Sequence, residues 1–378
     1  MKQYTFIVCM FTFIVSHAQI TGIVLDAETK QPMEYVTVLC KDEGKATITN
    51  KEGRFALYLK DIKKEVSLSM IGYNTVTLQS SAKDTIWLEK APIALTGVTV
   101  MPIEEIDKLL RSVRKRYREN HHVNKTICDV HLKQFDLSDG KYIKAIDMTG
   151  ELEIPTAKEF KKIEKFRLSA LAVDLYKDTT ELNVSNYAQT ILETFSVPYL
   201  MVEYLELSRK KYYFETTRIY QDNAFIYRID FFRKEKKRER NQFSGTLFID
   251  ESTRAILEFR LNQDKSYFEG SIKYNGEKNN FKREDIEIKI NYSKIDNEYL
   301  ITYIIFCDKY LLNDISRTNN LVLSNTNFKK DNFTNQYPIN NFTDLYQQLL
   351  DMNIGKIVKE QNGIVPTAEE TEFFEKNK

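Results

Sequence analysis

The sequence predicts a mainly β protein: a small N-terminal β-sandwich, then a linker helix, then a curved antiparallel sheet with a few helices. Two observations lead to this fold class. Short apolar stretches with a period of two residues, separated by turn residues, recur along most of the 378-residue chain. The composition is rich in Tyr (22) and Phe (23) and poor in Gly (12) and Pro (7), which is typical of well-formed sheets with covered faces. The pattern divides the chain into residues 1–18, 19–100, 101–120, 121–315 and 316–378.

The N-terminus is predicted to be a secretory signal peptide. Lys2 supplies a positive start, and an apolar run from Tyr4 to Val15 follows. Ser16-His17-Ala18 then places small residues where a signal peptidase reads them, so cleavage is expected before Gln19. The apolar run is too short to span a bilayer, which takes about 20 residues. We therefore expect the chain to be exported.

Residues 19–100 alternate short strands with turn residues. The strand-like pieces are Ile20–Asp26, Tyr35–Val38, Thr47–Phe55 and Ser69–Tyr73, and the predicted turns or bulges are at Gly22, Pro32, Gly44, Gly53 and Gly72. In this order the pieces resemble the carboxypeptidase-regulatory-like domain, a small prealbumin-like β-sandwich at the front of many exported outer-membrane proteins of Bacteroidota. The resemblance implies the fold of this region and a location in the periplasm or at the periplasmic face of the outer membrane.

Two basic clusters are candidate contact surfaces for an anionic partner. The predicted linker helix, Ile103–Asn120, has one apolar face, and its other face carries Lys108, Arg111, Arg114, Lys115 and Arg118. The second cluster joins two predicted strands and contains Arg233, Lys234, Lys236, Lys237, Arg238 and Arg240. Both clusters fit an ordinary solvated surface. If they are functional, they suit lipid phosphates or an acidic protein.

Residues 121–315 read as consecutive strands joined by short turns, which indicates an antiparallel meander. One hairpin, Phe243–Asp250 followed by Ala255-Ile256, is similar to the half-barrel hairpins of the lipoprotein-carrier fold. A helix with an interruption at Pro198 is expected over Asn186–Leu205. Another is expected over Phe342–Val358, followed by a loose polar tail. The predicted strands are Cys128–Leu137, Tyr142–Ile154, Phe160–Ser169, Tyr212–Tyr220, Ala224–Arg233, Phe243–Asp250, Ala255–Asn262, Tyr267–Tyr274, Asp285–Lys294 and Tyr299–Tyr310.

The sequence offers no recognisable catalytic, cofactor-binding or metal-binding motif. His121-His122 is expected to be a surface pair at a helix end, and no glutamate stands at the spacing of a zinc site. A net charge of +1 argues against nucleic acid as a partner. Cys9 leaves with the signal peptide, so three cysteines remain. Either Cys128 and Cys307 form a disulfide, or all three thiols are free.

The sequence therefore favours a non-enzymatic interaction module of the cell envelope, an adaptor or accessory subunit of an outer-membrane system. Its expected partner is an outer-membrane or periplasmic protein. The alternative is a periplasmic carrier in which the curved sheet encloses a lipid or another apolar ligand. The interior of the second domain separates these two hypotheses, because a carrier needs an apolar cavity of several hundred Å³.

Overall fold

A computed structural model describes residues 18–61, 63–79, 84–92, 101–178, 188–203, 212–234, 243–264, 269–274, 277–328, 330–352, 354–357 and 363–376. The signal-peptide prediction concerns residues 1–18, of which 1–17 lie outside this set. No helix in the described part of the chain is both long and apolar enough to cross a membrane.

The first domain is a β-sandwich with seven strands among its described residues, which confirms the predicted fold class of this region. The strand bounds are β1 Ala18–Asp26, β2 Thr37–Cys40, β3 Lys45–Ile48, β4 Arg54–Leu59, β5 Glu65–Ser69, β6 Val76–Gln79 and β7 Thr85–Leu88. β1 pairs antiparallel with β4 and parallel with β7, and β3, β2, β5 and β6 form the second layer. The two layers enclose Val24, Val36, Val38, Phe55, Leu57, Leu59, Val66, Leu68 and Leu88.

Three of the predicted turn glycines have the left-handed backbone that a turn requires. Gly44, Gly53 and Gly72 have φ angles of 63°, 71° and 89°, a region open to glycine at no steric cost. Gly22 is different, because it lies inside β1. A Cβ atom there would lie 2.7 Å from Ile86 Cδ1, so this glycine permits close packing of the sandwich and makes no turn.

A large antiparallel sheet forms most of the rest of the molecule. Its strands follow the order β11-β12-β13-β14-β16-β17-β18-β8-β9-β10. The bounds are β8 Thr126–Ser138, β9 Lys141–Ile154, β10 Arg167–Lys177, β11 Tyr212–Gln221, β12 Ala224–Arg233, β13 Phe243–Asp250, β14 Ile256–Asp264, β15 Glu269–Tyr274, β16 Glu277–Ile295, β17 Glu298–Leu312, β18 Ile315–Asn327 and β19 Tyr337–Pro338. The short strands β15 and β19 pair with β16 and β10.

In the described residues, four helices accompany the sheets: α1 Ile103–Asn120, α2 Ala188–Glu203, α3 Leu345–Asp351 and α4 Ala368–Lys376. α1 is the predicted linker helix. It begins with Glu104 and Glu105 in its first turn, where the helix dipole favours acids. Its apolar face is buried against the large sheet through Ile106, Leu109, Leu110, Val113 and Tyr117.

Several boundaries differ from the prediction. The expected strand Phe160–Ser169 is instead two 3-10 turns, Ala157–Glu159 and Ile163–Lys165, followed by β10. Phe160 and Phe166, whose alternation suggested the strand, pack on each other across these turns, with ring centroids 5.9 Å apart. α2 also continues through Pro198. Burial of its residues Ile191, Leu192 and Phe195 offsets the backbone hydrogen bond that a proline removes.

The C-terminal region also departs from expectation. β18 extends the sheet to Asn327, beyond the expected boundary at residue 315, and α3 is shorter than the predicted helix Phe342–Val358. The tail that was expected to be loose contains α4. Its first turn is closed by a capping box. Thr367 Oγ1 accepts from the Glu370 backbone nitrogen at 3.1 Å, and the Glu370 carboxylate accepts from the Thr367 nitrogen at 3.1 Å.

The sandwich and the large sheet are joined by hydrogen bonds and packing. β3 pairs with the end of β18 at Lys45 and Asn327, and the Phe328 nitrogen donates to the Gly44 carbonyl at 2.7 Å. Three apolar clusters bridge the two domains. They are Leu39 and Ala46 with Ile295 and Phe328; Ile48 with Tyr303 and Ile364; and Ile71 and Ala91 with Ile219, Ile226 and Phe248. The two domains therefore share one continuous sheet, and apolar packing also joins them.

We expect Gly245→Ala to destabilise the large sheet by about 1–3 kcal/mol, the usual cost of an overpacked core. A Cβ atom on Gly245 would lie 2.1 Å from the Arg260 carbonyl oxygen and 2.6 Å from Phe231 Cζ. Urea unfolding measures the loss. Gly270→Ala in β15 is the matched control, because a Cβ atom there meets nothing within 4 Å. Equal stability of the two variants would contradict the close approach at Gly245.

Candidate functional site

The two faces of the large sheet have different coverings. One face packs on α1, α2 and α3 and forms the main apolar core, with residues such as Leu132, Met148, Ile229, Phe259, Ile290, Ile304 and Leu323. The described residues of this face pack closely on one another. The cavity found on it has a volume of about 40 Å³ and is lined by residues that include Tyr117, Cys128, Phe160, Phe195 and Tyr292. Such a volume holds a few water molecules and cannot hold an acyl chain.

The opposite face carries an open cleft of about 450 Å³ that is lined by both charged and apolar side chains. Its volume is within the range of small-ligand sites. The strand register builds its floor, because residues that stand side by side on neighbouring strands point to the same face. One row across the sheet reads Thr246, Arg260, Lys289, Ile305, Val322 and Lys133. The next row reads Glu287, Cys307, Asn320 and Phe135.

The sandwich supplies one wall of the cleft with Glu34, Tyr35, Asn50 and Lys51. Tyr35 has a φ of 61°, a left-handed conformation that is unusual for a bulky side chain and costs backbone strain. Its ring stacks on that of Tyr303 in β17, with centroids 6.0 Å apart. This contact between the domains fixes the tyrosine at the edge of the cleft.

The charges beneath the cleft are unevenly paired. The Glu258 carboxylate, 2% exposed, accepts from Arg260 Nε at 2.5 Å and lies 3.5 Å from Lys289 Nζ. Asn291 Nδ2 also donates to it, at 3.2 Å. Two cations therefore share one carboxylate. Burial lowers the pKa of Lys289; Glu258 opposes this effect and Arg260 adds to it. Burial also raises the pKa of Glu34, which lines the same cleft.

The other wall is the C-terminal segment, residues 363–376. Its backbone is held by both domains. The Gly363 carbonyl accepts from Thr47 Oγ1 at 2.7 Å, and the Val365 carbonyl accepts from Asn50 Nδ2 at 3.1 Å. The Ile364 nitrogen donates to His131 Nδ1 at 2.7 Å. A Cβ atom on Gly363 would lie 2.6 Å from the same nitrogen, so only glycine fits against this imidazole without a shift.

His131 is buried and joins this segment to the sheet. Because Nδ1 accepts from Ile364, the neutral ring carries its proton on Nε2, which lies 2.5 Å from Asp147 Oδ1. Burial is the largest single influence and opposes ionisation of Asp147, but His131 and Lys133 together outweigh it, so the pKa of this carboxyl is lowered. The pair is thus a structural link between β8, β9 and the C-terminal segment.

α4 completes the attachment with one ion pair and several ring contacts. Lys133 Nζ donates to the Glu370 carboxylate, and both residues are buried. Phe373 packs on Tyr142 and Tyr176, with ring centroids 4.9 and 4.5 Å apart. The segment is therefore an acidic, aromatic peptide bound to a surface of cations and rings.

The structure places the predicted basic residues in two separate regions. Lys108, Arg111, Arg114, Lys115 and Arg118 are all exposed on α1. Arg233 ends β12 and Lys234 follows it. Both are half-buried and lie over the rings of Tyr212 and Tyr213, at 6.0 and 4.8 Å. Lys236, Lys237, Arg238 and Arg240 lie outside the described residues.

The histidine prediction was wrong for His121, which is buried and not at the surface. Its ring stacks on Tyr117 with centroids 4.3 Å apart, and Nε2 lies 3.0 Å from the Ile256 carbonyl. Burial lowers the pKa of His121 to about 4. The neighbouring His122 is half-buried beside Glu298, at 2.5 Å. In the described residues, no group of three His, Cys, Asp or Glu side chains could hold a metal ion.

The cysteines resolve the alternatives that the sequence left open. Cys40, Cys128 and Cys307 are all free. Cys128 lies in the helix-covered core, whereas Cys307 is half-buried in the cleft. Burial raises the pKa of the Cys307 thiol to about 11, so this thiol is protonated and unreactive at neutral pH.

Comparisons with known proteins identify the first domain. Residues 20–100 match the family model of the CarboxypepD_reg-like domain. The crystal structure of a LolA superfamily protein from Nitrosomonas europaea is similar at 10% identity, over 60% of this chain and 94% of that one, with a TM-score of 0.20. MucB in complex with MucA(peri) is similar at 8% identity, over 58% and 92%, with a TM-score of 0.15.

TM-scores this low do not establish that this chain shares the fold or the function of either protein. No curated protein matches it. The family model covers the sandwich and agrees with its strands. Residues 20–100 are therefore a CarboxypepD_reg-like domain.

Proposed function

We propose that the protein is exported and acts as a non-enzymatic interaction module of the cell envelope, an adaptor or accessory subunit at the outer membrane. The observation that carries this proposal is the close packing of the described core residues under the helices, where the cavity measures about 40 Å³. The large sheet thus presents outer surfaces and an open cleft to its surroundings. The CarboxypepD_reg-like domain, a regulatory-type and not a catalytic domain, supports the same role.

The fixed relation between the domains also supports an adaptor. The paired strands β3 and β18 and the three bridging clusters hold the sandwich against the sheet. A partner that contacts both domains would therefore find its surface already formed, which lowers the entropic cost of binding. The carrier alternative gains no support from this architecture, because the face that would enclose an apolar ligand is already packed.

A mild-detergent pull-down from the native membrane, with proteins and lipids identified by mass spectrometry, tests the proposal. We expect one envelope protein in stoichiometric amount. A free monomer would contradict the proposal. Lipid bound without a protein partner would favour the carrier.

The exposed cations of α1 are the candidate surface for an anionic partner. We expect Arg111→Glu with Lys115→Glu to reduce recovery of such a partner and to make recovery less sensitive to salt. Stability should change by less than about 0.5 kcal/mol, since both side chains are exposed. Lys60→Glu with Lys63→Glu on the sandwich applies the same charge change as a control. Equal recovery with both pairs of substitutions would exclude α1 as the contact surface.

A further inference from the structure

The cleft on the open face of the large sheet has the composition of a ligand site. Its floor combines cations with apolar side chains. Arg260 and Lys289 both lie against the buried carboxylate of Glu258, and the Arg260 side chain is still 40% exposed, so its guanidinium can reach a ligand in the cleft. Beside them lie Tyr35, Ile305 and Val322, which offer an apolar surface within reach of the same ligand.

The remaining charges of the cleft restrict what can bind. Lys133 is already paired with Glu370 from the C-terminal segment. Lys51 is an exposed cation at the sandwich wall, whereas Glu34 and Glu287 add negative charge to the lining. A ligand with one carboxylate fits this arrangement, because a second carboxylate would meet one of these acids.

The protein itself shows how this face binds a peptide. In the C-terminal segment the Glu370 carboxylate meets Lys133, and the neighbouring Phe373 and Phe374 lie on the rings of Tyr142 and Phe135. The segment thus offers a carboxylate and two aromatic rings, and the sheet binds them with one cation and two aromatic rings. The open part of the cleft, next to this segment, repeats the combination with Lys289, Arg260 and Tyr35.

We propose that the open part of the cleft binds a partner's peptide segment in which one acidic residue is flanked by apolar residues. This inference rests on the proposed function and names the chemistry of the partner. The carboxylate lies against Arg260 and Lys289, and the apolar neighbours lie against Tyr35, Ile305 and Val322. Bound there, the segment contacts the sandwich, the sheet and the C-terminal segment together.

Isothermal titration of the full chain tests the inference with the acetylated and amidated peptide Val-Phe-Glu-Phe-Val. Peptides with Gln or Lys in place of Glu are the matched probes. We expect the Glu peptide to bind and the Gln peptide to bind roughly tenfold more weakly, as expected for the loss of a charge-assisted hydrogen bond. The Lys peptide should not bind.

Two substitutions on the same strand locate the site. Lys289→Met removes a cleft cation while Arg260 and Asn291 still pair Glu258, so the fold is retained. This substitution should lower the affinity for the Glu peptide by roughly tenfold. Lys294→Met, at an exposed position of β16, should have no effect. Equal affinities for the Glu and Gln peptides, or for the two variants, would overturn the inference.

The outcomes also separate this inference from the proposed function. A native complex with a protein partner, together with a cleft that does not distinguish the Glu and Gln peptides, overturns the peptide site alone. A protein recovered from its envelope only as a monomer overturns the adaptor role, whatever the peptides do. Binding of anionic phospholipid vesicles without binding of the Glu peptide would likewise overturn the peptide site.

Discussion

Lys133→Ala is expected to release the C-terminal segment from the sheet. Lys133 and Glu370 are 4% and 9% exposed, so the substitution leaves a buried carboxylate without its cation. Breaking a buried ion pair from one side costs about 3–5 kcal/mol. The segment can avoid this cost by undocking, since Glu370 then becomes hydrated. The loss should therefore appear as local release of residues 363–376, with the sandwich and the sheet still folded.

Hydrogen exchange of the segment measures this effect. The Ile364 amide, which donates to His131, should lose its protection in Lys133→Ala. The matched control is Lys133→Met with Glu370→Met, which removes both charges and should keep most of the protection. Unchanged protection in the single variant would mean that the ion pair does not hold the segment.

The free energy of unfolding is expected to fall by about 3 kcal/mol between pH 7 and pH 4 because of His121. Burial lowers its folded-state pKa to about 4, whereas a histidine in the unfolded chain titrates near 6.5. Between these values the unfolded chain binds a proton that the folded protein excludes. The stabilisation is therefore fully present above about pH 6.5 and is lost as the pH falls to 4.

Urea unfolding at pH 7, 5.5 and 4.5 measures this loss. His121→Gln should remove the part of the pH dependence that is due to His121, because glutamine keeps a donor near the Ile256 carbonyl and does not titrate in this range. His122→Gln at the adjacent, half-buried position is the control and should leave the dependence due to His121 in place. If His121→Gln retains the full loss, His121 is not the group responsible.

The fold could be predicted from sequence wherever the signal was local. β12 and β13 begin and end at the predicted residues, and one of the short turns expected between strands contains Asp296, whose φ of 55° is left-handed. The strand predicted over Phe160–Ser169 was wrong for most of its length, because the apolar alternation there comes from residues packed across two turns. α4 could have been found, because Thr367 followed three residues later by Glu370 is a capping signal.

The cleft could not be predicted in the same way. Its floor comes from residues on different strands, and only the register places Lys133 beside Val322 and Lys289 beside Arg260. A shift of one residue in any pairing would turn that side chain to the opposite face. Nor does any sequence pattern indicate that the end of the chain returns to a wall formed by Thr47 and Asn50.

We propose that this protein binds other proteins through preformed outer surfaces and encloses no apolar ligand. Native mass spectrometry of the complex purified from its own envelope tests this claim most directly. We predict the mass of this chain plus one stoichiometric protein partner, with no lipid retained when the complex is dissociated in the gas phase. A free chain that carries a bound lipid would contradict the claim and show that the packed interior opens around an apolar ligand.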